Sequence, residues 1–170
     1  MTRPRRLHIA LWLILLAASA ALALFHYQIL QIGAYQDDAS YIILAQSLIK
    51  ADRYGLMYGP WLLPDPPTFP FGFPLLLADL MRLGLSLNAL KGVSFVATLV
   101  NISLLFWGWP LISRRASYGW GLAVAVLYGT SLLAVSHSRV IMSEAVFTTW
   151  TFAALLLTEG MARGGRVRGV

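Results

Sequence analysis

The chain has 170 residues, 58% of them apolar and only 12% charged, with a formal net charge of +6 and a mean hydropathy of +0.69. A soluble domain carries about twice that charged fraction, and the apolar residues here come in runs too long for a water-soluble core. Basic residues sit at the ends and in short loops, with no basic stripe interleaved with aromatics, which argues against nucleic acid as a partner; the lack of cysteine excludes disulfides and thiolate chemistry.

Arg3, Arg5 and Arg6 precede an apolar run over residues 7–30, the first predicted membrane span. Ala18-Ser-Ala20 and Ala21-Leu-Ala23 resemble signal-peptide cleavage sites. A signal h-region runs only about 7–15 residues, and this run continues past them, so an uncleaved anchor is expected. A polar loop over residues 33–89 follows. It opens with Asp37 and Asp38, and residues 38–52 show helical periodicity with Tyr41, Ile42, Ala45, Leu48 and Ile49 on one side and Ser40, Ser47 and Lys50 off it. That helix is too short to span and suits the membrane interface. Arg53-Tyr-Gly55 should end it. The proline-rich residues 66–74 should be irregular and form part of a site's rim, with Pro74 in the first turn of a second loop helix over residues 75–87. Asp79 and Arg82 argue against that helix being a span, and it should reach the next span through a break near Asn88.

Three further spans are predicted over residues 90–112, 118–135 and 140–161, giving an all-α membrane protein of about four transmembrane helices in one domain over 1–170. Arg114 and Arg115 follow the second span, and Arg163, Arg166 and Arg168 follow the fourth. Basic residues concentrate on the cytoplasmic side of short loops. All three arginine clusters then agree on a multi-pass inner or plasma membrane protein with a cytoplasmic N-terminus. Residues 33–89 and the His137-Ser-Arg139 turn fall outside.

The acids are the candidate chemistry. One aspartate at the head of a helix serves as a cap worth about 1 kcal/mol; a second at a membrane surface is not needed for that. A carboxylate pair there can supply a base and a positioning group. In Ser136-His-Ser-Arg-Val-Ile-Met-Ser-Glu144, Arg139 and Glu144 put a cation and an anion at the outer end of the last span, where charges usually mark sites. Their spacing of five is poor for direct helical pairing. Glu144, Thr148, Thr151 and Thr158 share a face that should point into the bundle, more as packing than as ligand contact. His137 is a weaker candidate for substrate contact, since a lone histidine in a turn is more often a surface residue. Together these groups suit an anionic lipid substrate, with arginine on phosphate.

At these residues the chain resembles the N-terminal part of the membrane-embedded GT-C glycosyltransferases, the group that holds protein O-mannosyltransferases and the lipid A aminoarabinose transferases. The resemblance covers most of the chain. It rests on Gln36-Asp-Asp-Ala-Ser-Tyr-Ile-Ile-Leu-Ala-Gln-Ser-Leu48 after the first span, then Pro66-Pro-Thr-Phe-Pro-Phe-Gly-Phe-Pro-Leu-Leu-Leu77, then Ser138-Arg-Val-Ile-Met-Ser-Glu144, in that order. It implies inverting transfer of a sugar from a polyprenyl-phosphate donor to a lipid, glycan or protein acceptor outside the cytoplasm. Asp37 would be the general base, with Asp38 the competing candidate. Arg139 would contact the donor phosphate and Glu144 would shape the site or orient Arg139. Some members of the family hold a metal, so a divalent ion stays open, although this chain has no histidine-rich ligand set. Family enzymes have many more spans, so the chain is expected to be a fragment of a longer protein. The other reading is a non-catalytic membrane protein that binds a lipid carrier or serves as an assembly subunit.

Overall fold

The computed structural model describes residues 3–25, 32–33, 36–58, 61–62, 68–112 and 117–167. The helices are α1 (Arg3–Phe25), α2 (Asp37–Lys50), α3 (Gly72–Arg82), α4 (Leu87–Ile112), α5 (Tyr118–Gly129), α6 (Leu132–His137) and α7 (Ser143–Val167). The strands β1 (Met57–Tyr58) and β2 (Trp61–Leu62) form one small antiparallel ladder. Residues 26–30 of the first predicted span, Pro64 to Pro67, and Arg114 and Arg115 lie outside the described residues.

Among the described residues, three helical stretches are long and apolar enough to cross a membrane: Arg6–Phe25, Leu87–Ile112 and Ser143–Ala162. The chain is therefore built as an all-α, multi-pass membrane protein. α4 is the central helix, with α7 and α5 along its flanks and α1 across α4 and α5. Ser94 meets Met142, Asn101 meets Ala145 and Gly108 meets Leu156, so α4 and α7 run parallel. Trp12 stacks on Phe106, while Ser19 lies beside Gly129, which itself packs on Ile102; α1 thus runs antiparallel to α4. The end of α1, the start of α4, the start of α7 and the α6–α7 turn therefore share one end of the bundle.

The third predicted span is corrected. Instead of one helix over 118–135, α5 stops at Gly129 after 12 residues, about 18 Å of helix, short of the roughly 30 Å hydrocarbon core. Thr130 returns its hydroxyl to the Val126 carbonyl at 2.8 Å, and the Ser131 side chain caps α6 by accepting from Ala134 N–H at 3.2 Å. These local bonds give the backbone partners other than a continued helix. α5 and α6 together bring the chain back to the end where α4 begins.

α5 lies close against α4 because Gly121, Ala125 and Gly129 are spaced four apart and all buried. A Cβ on Gly121 would sit 2.5 Å from the Phe106 carbonyl oxygen, a backbone atom that cannot swing away. Gly121→Val should therefore cost about 1–3 kcal/mol through overpacking, read as a lower thermal midpoint in detergent. Gly92→Ala on α4 meets nothing within 4 Å and should be neutral or mildly stabilising. Equal midpoints for wild type and Gly121→Val would refute the close approach.

The loop helices form their own small core. Tyr41, Ile42 and Ala45 of α2 pack with Phe73, Leu77 and Ala78 of α3, Leu90 of α4 and Ile141. α2 follows the predicted helix, but its buried face is wider. Leu44 and Ser47 are fully buried and Ile49 is exposed. Ser47 is buried because its hydroxyl organises the helix exit, 2.8 Å from the carbonyls of Leu44 and Arg53 and accepting from Gly55 N–H at 3.3 Å. α3 starts at Gly72, with Pro74 still in its first turn, and ends at Arg82. The break before α4 falls at residues 83–86, with Gly84 at φ +89°. Arg82 bonds Asp79 at 2.9 Å and the Leu48 carbonyl at 3.3 Å, holding the end of α3 to α2. The Asp79 pair is exposed and contributes little stability.

Candidate functional site

The start of α2, the end of α6 with the turn after it, and the start of α7 carry the five predicted site residues: Asp37 and Asp38, His137 and Arg139, and Glu144. α2 is entered through Gln36, whose φ is +55°, an uncommon value for a residue with a side chain. Gln36, the N-cap residue, makes no side-chain cap bond; among the first-turn residues it is Asp38 that takes a backbone N–H, that of Ala39. The two acids part at once. Asp38 is 1% exposed, and both its oxygens are occupied, Oδ2 by Gly33 N–H at 2.9 Å and Oδ1 by Ala39 N–H at 2.8 Å. Asp37 is only half-buried in the first turn.

Asp38 also acts electrostatically on Lys91 of α4, which is itself 1% exposed. The sequence reading passed over this lysine. Its signal was present, a single charge in an otherwise uncharged run, and such charges are costly unless used.

Asp37 works on another group. The Tyr41 hydroxyl of α2 meets the Ser143 hydroxyl of α7 at 2.8 Å. Burial raises the Tyr41 pKa above its ordinary value of 10; the Ser143 hydrogen bond opposes the shift, and the charges of Glu144 and then Asp37 add to it. Two carboxylates from different helices thus bear on one phenol. Tyr41→Phe should cost about 1 kcal/mol through the lost hydrogen bond. Because the folded pKa is raised, this group's contribution is complete below pH 10 and fades as pH climbs beyond it. Alkaline unfolding should therefore shift to higher pH in Tyr41→Phe; an unchanged alkaline limb would contradict the assignment.

Glu144 is exposed at the start of α7 and borders a groove of about 620 Å³ between the Pro70–Leu76 segment and α7. The groove is apolar, walled by Phe73, Leu76, Phe147 and Trp150. Phe69 and Phe73 stand edge-on to Tyr41 at 5.2 and 5.0 Å, and Tyr54 donates to the Phe69 carbonyl at 2.7 Å. The non-helical residues 68–71 are thereby held against α2.

Arg139 is not paired with Glu144; no ion pair joins them among the described residues. Its Nε donates to the Val135 carbonyl at 3.2 Å, a helix-end contact that fits the cation preference of a C-terminus. His137 is half-buried and lines a second cavity with Glu144.

The threonine stripe is corrected too. Thr151 and Thr158 are exposed and return their hydroxyls to carbonyls four residues back. The threonine that enters the bundle is Thr149, whose hydroxyl lies 2.8 Å from Asn101 Oδ1 and 2.9 Å from the Ala145 carbonyl. Asn101 Nδ2 in turn donates to Ala145 O and to the Tyr128 hydroxyl, both at 2.9 Å. The face of α7 opposite α4 is set by this contact, and it rotates the predicted stripe outward.

Among the described residues no three His, Asp or Glu side chains gather as a metal site requires. No protein-family model matches the chain, and no curated protein or solved structure matches it.

Proposed function

We propose that the chain is the N-terminal, donor-binding part of a membrane glycosyltransferase of GT-C type, which uses a polyprenyl-phosphate sugar and an aspartate base. The observation that carries this reading is the convergence of Asp37 and Glu144 on the Tyr41–Ser143 pair beside the mouth of an apolar groove. A groove of this size accommodates part of an isoprenoid chain and leaves a polar head at the carboxylates. The choice of base falls on Asp37. A base must be reachable by the acceptor hydroxyl; Asp38 is 1% exposed with each oxygen held by a backbone N–H, whereas Asp37 is half-buried. Arg139 remains the group proposed for the donor phosphate: its terminal nitrogens have no bonded partner among the described residues.

In this reading α1, α4, the α5–α6 pair and α7 cross the membrane in alternation, with the basic N-terminus cytoplasmic and the site outside. The partners are the lipid-linked donor, a hydroxyl-bearing acceptor and the surrounding lipids. The test is binding of a polyprenyl phosphate to the chain in lipid nanodiscs, read by native mass spectrometry. Preference over phosphatidic acid of equal charge supports the reading, and no preference overturns it. Preference without sugar transfer by the complete gene product would leave the non-catalytic carrier-binding protein instead.

A further inference from the structure

Two apolar troughs run side by side at the shared end of the bundle. One is the groove of about 620 Å³ between the Pro70–Leu76 segment and α7. The other, of about 480 Å³, lies among α3, α4 and α7, with Leu80, Gly92, Val96 and Val100 in its lining. Leu76, Val146 and Trp150 border both, so the troughs meet along one seam. Each has the roughly 300–1,000 Å³ typical of ligand pockets. No Arg or Lys lines either.

Gly92 points to an occupant from outside the chain. A Cβ on Gly108, Gly121 or Gly129 would press on Leu156, the Phe106 carbonyl or Ile102, so close packing accounts for those three. A Cβ on Gly92 would meet nothing within 4 Å. A glycine there weakens α4 without serving its contacts in this chain, and it keeps the second trough open.

The mouth of the groove is acidic. No hydrogen bond or ion pair among the described residues involves the Glu144 carboxylate. Asp37 approaches the same Tyr41 hydroxyl from α2, so negative charge gathers there. The Thr148 hydroxyl, one turn below Glu144 on the same wall, has no hydrogen-bond partner among the described residues, unlike those of Thr149 and Thr151. A carboxylate and a hydroxyl so placed accept from the N–H groups of an ammonium. Met142 is bonded to Ser94 and the apolar stretch of α7 starts at Ser143. On the membrane-spanning reading Glu144 is then at headgroup depth, with the exposed Phe147 and Trp150 in the next two turns, where aromatic belts sit. In the glycosyltransferase reading the donor phosphate goes to Arg139, which lines neither trough, and Glu144 is left without a partner.

We propose that a phospholipid with two acyl chains and a primary ammonium headgroup, of the phosphatidylethanolamine class, is seated here, one chain in each trough and its ammonium on Glu144 and Thr148. Its phosphate, on the far side of the ethylene spacer, stays in water. The proposal goes beyond the glycosyltransferase reading and does not depend on it; a polyprenyl chain entering the groove would have to displace this lipid.

Native mass spectrometry of the protein released from nanodiscs tests it, with equimolar dioleoyl phosphatidylethanolamine, phosphatidylglycerol and phosphatidylcholine. The glycerol headgroup is uncharged beyond its phosphate, and the choline ammonium has no N–H to donate. The ethanolamine lipid should be retained about two- to fivefold over either of the others, the scale of one exposed ion pair. Glu144→Gln should abolish that preference, with the thermal midpoint as the check on the fold. Gly92→Phe should fill the second trough and remove the advantage of phosphatidylethanolamine over its single-chain lyso form, leaving the headgroup preference in place. Equal retention of the three lipids by the wild type, or a preference that survives Glu144→Gln, overturns the proposal. An advantage over the lyso form that survives Gly92→Phe overturns the two-chain seat. A lipid-free dimer would mean that a second copy covers the troughs, and it overturns the proposal as well. Polyprenyl phosphate is measured in separate samples, so each of these failures leaves the donor reading standing.

Discussion

On the proposed glycosyltransferase reading, Asp37→Asn should slow sugar transfer about 10²–10⁴-fold, the usual loss on removing a general base, while the thermal midpoint stays that of the wild type. Asparagine keeps the shape and the polarity of the half-buried first-turn position but cannot take a proton. No hydrogen bond among the described residues involves the Asp37 carboxylate, and the N-cap position is held by Gln36. Transfer would be measured from a polyprenyl-phosphate sugar, with a pH profile alongside. The acidic limb of the wild-type profile, set by a base that must be ionised, should vanish with the activity. Near-normal transfer in Asp37→Asn would remove the base assignment from this residue. Shifting it to Asp38 would then require that carboxylate to leave the backbone of Gly33 and Ala39.

Asp38→Ala should instead be a folding mutation, costing about 1–3 kcal/mol, the scale of leaving a buried hydrogen-bonding group unsatisfied. The substitution strips Gly33 N–H and Ala39 N–H of their acceptor and removes one negative charge that acts on Lys91. Adding Lys91→Met removes the cation on which that charge acts, so coupling between the two should show as a double-variant loss smaller than the sum of the single losses. Thermal unfolding of both single variants and the double variant closes a mutant cycle. Strictly additive losses would mean that the two groups do not communicate, and a stable Asp38→Ala would mean that the α2 entrance is held by something else.

The difference between the two acids was not legible in the sequence. Adjacent residues on a helix point about 100° apart, and which one turns inward depends on how α2 rolls against α3. That roll is fixed by Tyr41, Ala45, Phe73 and Leu77 meeting across the interface, and periodicity within α2 alone does not choose it. The helix itself, the long apolar stretches of α4 and α7 and the irregular approach to α3 were readable, because each rests on local signals of run length, proline and hydrophobic period. The break after Gly129 was written in Gly129-Thr-Ser131, but a window of apolar residues outweighed it. The swap of Thr149 for the Thr148 stripe belongs to tertiary packing: Asn101 on α4 selects the threonine it can reach. Lys91 was visible as a charge, yet its meaning came only from the loop helix folded above it.

One consequence of the α4–α7 register concerns the bilayer. Ser94 is level with Met142, just ahead of the apolar stretch Ser143–Ala162. From there to Ile112, α4 offers 19 residues, about 28 Å of helix, close to a typical hydrocarbon thickness of about 30 Å. On the membrane-spanning reading the first two turns, with Lys91, extend beyond that slab as a post whose Leu90 joins the core of α2 and α3. A thicker bilayer must either climb the post, drawing the Lys91 and Asp38 charges into hydrocarbon, or thin around it, and each carries an energetic cost. Vesicles of long-chain lipids should therefore lower the stability of the α2 mooring more than that of the bundle below it, so that membrane thickness becomes a setting for the site.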